Sequence, residues 1–345
     1  MRDIPTIQEF DATLRYYGLG TLSGKAERMG GASDKANFAL NTSQGRYFCR
    51  VRRSYSDRDG LIHRVVSHLT DRGFPTAPLL HSITGETYVQ YNNRTYELFP
   101  FLHGEGFEKG NQAQFAAMGK AIAQFHDCMQ DFESPIPLDR NFFNNYPDSS
   151  HQRRFIQTTE RDVANIEGTP DLKESIAKAL IKIRRKMEQV TSLWENIEPD
   201  LPSTFVHGDY HLYNVQFKGN EVAYVCDFDF VMPAERIYDI ITAFVWWLRG
   251  TVTEGMEESP PDISYLKPYR EFLAEYNKQS SRMLTSEEMR ALIPDMQRQL
   301  LIYGIRASAM RSESIEGMLE WIKNHIKLAE WLGRYRAEFE RAFFQ

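Results

Sequence analysis

Between residues 204 and 229 a chain that is patterned mostly for helices after residue 111 turns to two short β-like runs, 214–217 and 222–226. The turn Lys218, Gly219, Asn220 joins them, and clusters of His and Asp flank them. A small hairpin studded with carboxylates is an unusual insertion in a helical lobe, and few folds accommodate it. One flank reads His207-Gly208-Asp209-Tyr210-His211-Leu212-Tyr213-Asn214; the other, thirteen residues after Asn214, reads Asp227-Phe228-Asp229. Closure of the hairpin brings the two flanks together in space.

The rest of the chain frames that insertion. With 345 residues, 42% of them hydrophobic and 13% aromatic, it can bury a sizeable core in one large or two modest lobes. The first hundred residues read as strands and turns around one helix. They hold a glycine turn at 30–33, a β-like run at 46–51, an apolar-periodic stretch at 61–69, and strands at 88–90 and 96–99 hinged on Asn92 and Asn93. Residues 100–106 read as a linker before a helical pattern at 111–129, which sets the boundary: a sheet lobe over 1–100 and a helical lobe over 101–345 that contains the hairpin. Further helical patterns run over 171–195, 265–277, 286–310 and 314–344. The class is α+β.

Composition excludes several functions. A formal charge of −6 and a pI near 5.9 argue against nucleic acid as a partner. No stretch reaches the roughly 18 apolar residues of a membrane helix, and the first ten residues lack a signal peptide's apolar core, so a cytoplasmic protein with no membrane partner is expected. Cys49, Cys128 and Cys226 lie singly in apolar or mixed runs and read as reduced, inert thiols. Arg46, Arg50, Arg52, Arg53 and Arg58 form a basic cluster with two open readings, a solvated strand face or a phosphate-facing role for one of them.

Phosphoryl transfer explains the flanks of the hairpin. A neutral hydroxyl needs a carboxylate to orient and deprotonate it, a role that suits Asp209, while a nucleotide triphosphate needs a divalent cation. Hard cations take oxygen ligands, so the Asn214 amide oxygen and the Asp227 carboxylate are the expected Mg ligands. His207 is expected to brace the loop, and His211 either packs in the loop or touches substrate. Asp229 either serves the metal or caps the following segment, 233–248.

The pattern HGDxxxxN followed by DFD resembles the aminoglycoside phosphotransferase and choline kinase superfamily, small-molecule relatives of the protein kinases, over residues of about 25 to 245. The protein-kinase catalytic loop carries the same Asp and Asn five residues apart, with its metal Asp in D-F-G. The resemblance implies a bilobal protein-kinase-like fold, ATP as phosphoryl donor with GTP as the alternative, and Mg. It further implies a nucleotide-covering turn at Gly30, Gly31 and Ser33, and a hinge at Glu97, Leu98 and Phe99 whose backbone reads the base edge beside an adenine slot of Leu98, Phe99 and Phe101. The helix ending in Phe125-His126 and a loop-bracing role for Asp239 follow from the same resemblance. Arg50 stands where the family has a phosphate-binding Lys. Ile62-His63-Arg64 stands where the Lys has its Glu partner, which leaves the carboxylate beside Arg50 open.

The acceptor is a small molecule, with homoserine, choline or ethanolamine ahead of sugars and aminoglycosides. Tyr210, Tyr213, Phe230, Trp246, Trp247 and Glu254 offer a cage for a cationic amine, against a core role for the Trp pair. The chain is expected as a monomer or homodimer. A catalytically silent nucleotide-binding relative is the rival reading; a protein kinase is disfavoured, since neither an APE-like segment nor G-x-G-x-x-G is found.

Overall fold

The computed structural model describes residues 4–29, 36–138, 149–165, 168–197, 200–306 and 314–344. In chain order the elements are α1 (Ile7–Tyr16), β1 (Glu27–Met29), β2 (Ala36–Thr42), β3 (Gly45–Arg52), α2 (Asp57–Asp71), β4 (Val89–Tyr91), β5 (Arg94–Pro100) and α3 (Gln112–Cys128). There follow α4 (Ser149–Asn165), α5 (Pro170–Glu195), β6 (Ser203–Val206), β7 (Val215–Lys218), β8 (Glu221–Val225), β9 (Met232–Glu235), α6 (Ile237–Thr251), α7 (Ile263–Gln279), α8 (Ser286–Ile305), α9 (Ile315–Arg334) and α10 (Arg336–Phe344). They group into two compact units: residues 1–106 with 131–137 and 214–229, and residues 107–130 with 138–213 and 230–345. The division expected at residue 100 was contiguous, with the hairpin in the helical lobe; by packing, the hairpin groups with the sheet.

In the first unit five antiparallel strands run in the order β1-β2-β3-β5-β4. Side chains alternate across a strand, so each strand serves two environments. Phe38 and Leu40 of β2, Cys49 and Val51 of β3, and Tyr96 and Leu98 of β5 form one core with Phe10 and Leu14 of α1. Cross-strand neighbours Asn37, Arg50 and Glu97, with Phe48 beside Phe99, occupy the opposite face. β4 turns into β5 through Asn92 and Asn93 at φ 49° and 59°, the pair of positive angles that a two-residue hairpin turn requires. β7 and β8 pair as a separate ribbon, tied to residues 100–106 by a bridge from Phe217 to Glu105.

α1 is a second helix where the sequence reading has one in the first hundred residues. It is set by a reciprocal cap between Thr6 and Glu9.

In the second unit α3 packs on α7 so closely that a Cβ at Gly119 would lie 2.2 Å from the Phe272 carbonyl oxygen. Phe115, Phe244, Trp247, Tyr269 and Phe272 make an aromatic core there, with Phe115 stacked on Trp247 at 4.3 Å. α8 packs on α5 and α9, and β6 pairs with β9. No helix among the described residues is long and apolar enough to cross a membrane.

Candidate active site

Asn214 and Asp227 stand at the two ends of the β7–β8 ribbon. The Cys226 N–H donates to the Asn214 carbonyl at 2.9 Å, one step beyond the Val215–Val225 pair, and Asp227 follows at once. Asp227 has φ 69°, a left-handed conformation that costs a non-glycine residue about 1–3 kcal/mol and is kept only where the surroundings enforce it. Its Oδ1 is buried and accepts no hydrogen bond, so a carboxylate oxygen is held without a cation or donor. Asn214 is buried as well, and both residues line a cavity of about 280 Å³ within the first unit. An amide oxygen and an orphaned carboxylate oxygen suit a hard divalent cation such as Mg. Among the described residues no three His, Cys, Asp or Glu side chains cluster to hold a metal.

The same cavity is lined by Arg50, whose Nε is buried without a hydrogen-bond partner. Its carboxylate is Asp229, with Oδ1 3.7 Å from Arg50 Nη1 and 3.5 Å from Arg52 Nη2; Arg58 Nη2 donates to the Asp229 carbonyl at 2.9 Å. Asp229 therefore does not cap the following helix. α6 starts at Ile237 with Arg236 as its cap residue, and β9 lies between Asp229 and that start. Arg52 is buried and fully engaged: its Nε donates to Glu97 Oε1 at 2.8 Å and its Nη1 lies 2.7 Å from Asp59 Oδ1. His63 Nε2 lies 3.1 Å from the same Glu97 oxygen. Burial raises the Glu97 pKa, but the adjacent His63 ring and the charges of Arg52 and Arg50 outweigh it and hold the carboxyl down at about 2. The basic cluster is thus not a solvated face: Arg46 pairs with Glu27 at 2.6 Å, Arg53 is exposed, and Arg50, Arg52 and Arg58 turn inward.

The hinge residues divide by strand alternation. Phe99 and Phe101 line the cavity, joined by Pro100, Leu102, Leu79 and Phe228. Leu98 is the correction: it points into the core of the opposite face, and its carbonyl accepts the Leu80 N–H at 2.9 Å. The Glu97 side chain also borders the cavity but is committed to Arg52 and His63. Gly30, Gly31 and Ser33 lie outside the described residues.

Asp209 belongs to the second unit, on a loop fixed by Asp239. That buried carboxylate accepts the His207 N–H at 2.7 Å and the Gly208 N–H at 2.9 Å, and lies 3.1 Å from His126 Nε2; His126 Nδ1 reaches the Tyr276 hydroxyl at 2.9 Å. Gly208 has φ 79°, and a Cβ there would fall 2.1 Å from the Phe230 carbonyl oxygen, so only glycine fits. His207 is buried and accepts the Asp209 N–H on Nδ1 at 3.3 Å. Of the two roles open to His211, the structure shows packing. Its ring packs on Trp246 at 4.5 Å while its Nε2 lies 3.4 Å from Asp209 Oδ2. Asp209 lines a small recess with Tyr238, Thr242, Gln299, Tyr303 and Arg306. The α8 residues and Arg306 were missed in the sequence because no local motif marks them.

The aromatic cage expected for a cationic amine does not form. Tyr210 is buried with its hydroxyl on the Met118 carbonyl, Trp247 is core, and Glu254 is exposed. Trp246 does face a cation, but it is the chain's own Arg249, with the guanidinium carbon 4.8 Å from the ring centroid.

The sequence model described as the phosphotransferase enzyme family (APH) matches residues 25–276. A homoserine kinase of Chelativorans sp. is 28% identical over 295 residues, 83% of this chain and 80% of that protein. A homoserine kinase of Caulobacter vibrioides is 25% identical over 248 residues, 70% of this chain and 71% of its own. Among solved structures, an aminoglycoside phosphotransferase from Alicyclobacillus acidocaldarius superposes with a TM-score of 0.68 at 16% identity, covering 99% of this chain and 98% of that one. A spectinomycin phosphotransferase complexed with ADP and spectinomycin gives a TM-score of 0.63 at 15% identity, covering 97% and 99%. The likeness to these structures shows a shared fold, the protein-kinase-like one.

Proposed function

Because this chain belongs to the phosphotransferase enzyme family (APH) and is a small-molecule kinase with an alcohol acceptor, we propose that it moves the γ-phosphoryl group of ATP to the side-chain hydroxyl of a hydroxy amino acid, with L-homoserine as the leading acceptor. The observation that carries the reading is the cavity shared by Asn214, Asp227 and Arg50, in which a buried carboxylate oxygen and a buried guanidinium N–H both lack partners. An anion with its own cation satisfies both at once.

In this reading Asn214 and Asp227 hold Mg, which when bound neutralises charge on the transferring phosphates. Arg50 grips phosphate with the N–H groups that Asp229 leaves free, and Phe99 and Phe101 border the base. Asp209 orients the acceptor hydroxyl and takes its proton as the new O–P bond forms and the bond to the β-phosphate's bridging oxygen breaks, releasing ADP. Asp239 holds the loop so that the Asp209 carboxylate keeps its direction. The homoserine kinases at 25% and 28% identity support the choice of acceptor. A silent scaffold is disfavoured, since it has no use for an unpaired carboxylate in a strained backbone.

A coupled ADP-release assay with L-homoserine, choline, ethanolamine and a sugar tests this. Turnover is expected with homoserine, falling about 10²–10⁴-fold in Asp209→Ala. Homoserine-independent ATP hydrolysis alone, or full turnover in Asp209→Ala, would sink it.

A further inference from the structure

Arg249, in the last turn of α6, is a cation whose nearest neighbours among the described residues are rings. Its guanidinium carbon lies 4.8 Å from the Trp246 ring centroid, 5.1 Å from that of Tyr303 and 4.8 Å from that of Trp321. Its Nη1 is buried and has no hydrogen-bond partner, and no carboxylate among the described residues pairs with it. The neighbouring His325 offers no negative charge: burial first, then the charge of Arg249, push its pKa down to about 4. Ring faces offset only part of the desolvation of a cation whose Nη1 is buried, so the site suits an anion.

The position says which anion. Arg249 lines a cavity of about 270 Å³ with Lys109, Leu212, Tyr213 and Trp246. Tyr303, one of the rings against Arg249, also lines the recess of Asp209, and Trp246, another, carries the His211 ring whose Nε2 faces the Asp209 carboxylate. Tyr303 and Trp246 thus border both the Arg249 cluster and the surroundings of Asp209. We propose that Arg249 is a specificity-determining residue that binds the carboxylate of the acceptor, so the acceptor is a short hydroxy acid rather than an amine-only alcohol. The inference rests on the acceptor reading above and deepens it. The same ring set that would cage a quaternary ammonium is already filled by a positive charge, which turns it against choline.

The test compares L-homoserine with homoserinol, in which the carboxylate is replaced by a hydroxymethyl group, by ADP release and by calorimetry with ADP and Mg present. The wild-type KM for homoserinol is expected to exceed that for homoserine by about 10–100-fold, the range for a charge-assisted hydrogen bond. Arg249→Met should raise the homoserine KM by a similar factor, leave the KM values for ATP and homoserinol unchanged, and lose discrimination, with Arg249→Lys between. An unchanged homoserine KM in a folded Arg249→Met overturns this site and leaves the acceptor reading standing. Wild-type turnover of choline or ethanolamine without homoserine removes both. Should Arg249→Met fail to fold, the Lys variant and wild-type calorimetry decide, and equal affinity for the two ligands, or no binding of either, overturns the proposal.

Discussion

At the scale of single residues, Glu97 keeps its charge at 1% exposure because Arg52 and His63 share one of its oxygens. Its folded pKa of about 2 lies below the ordinary 4.5, so its contribution to stability is fully present above pH 4.5 and is lost as pH falls toward 2. Urea melts between pH 7 and pH 2.5 should show stability declining through that window. Glu97→Gln should flatten the decline and lower neutral-pH stability by about 3–5 kcal/mol, the cost of a buried pair left with one member; an unaltered pH profile would remove the assignment. Asp229 predicts a different outcome. Asp229→Asn should loosen Arg50 and raise the KM for ATP about tenfold with a smaller change in kcat, as expected for a charged contact acting on ground-state binding. Loss of the Mg requirement instead would make Asp229 a metal ligand. The motif supplied the residue types here, but not this pairing, because Asp229 and Arg52 are 177 residues apart in sequence.

Among the elements, those with strong periodicity or turn chemistry were legible. The Asn92–Asn93 and Gly219 turns, the long helices and the β7–β8 ribbon all carry local signals. α4 was not, because only Phe155, Ile156, Val163 and Ala164 of its seventeen residues are apolar, few enough to pass for a loop. α1 was also missed, although Thr6-x-x-Glu9 is a capping-box signature that marks its start. β6 and β9 are four residues each and find each other across more than twenty intervening positions, beyond any local pattern. The ribbon makes a testable case, since Gly219 sits at φ 60° in its turn. Gly219→Val should destabilise the protein by about 1–2 kcal/mol and, by disturbing the closure that places Asp227 after Cys226, weaken the Mg-dependent thermal shift with ADP. A lowered melting temperature with an unchanged Mg response would separate the ribbon from the metal role.

At the scale of the whole molecule, the first unit is discontinuous, drawing in 131–137 and 214–229. A fragment of residues 1–106 lacks the ribbon and both proposed metal ligands. It should melt without cooperativity and show no thermal shift with ADP and Mg, whereas the full chain at 100 times its Kd should gain about 2.7 kcal/mol; nucleotide binding by the fragment would contradict the placement of the site. The sequence alone determined the fold type and the kind of chemistry, because both are written in short-range order: strand and helix periods, and an Asp, an Asn and a second Asp at fixed spacing around one turn. Only the tertiary structure decided which cation meets which carboxylate, that Leu98 turns from the cavity while Phe99 enters it, and that Arg249 sits among Trp246, Tyr303 and Trp321. Electrostatic and packing partners are chosen by proximity in space, and in this chain those partners come from strands and helices that no local spacing connects.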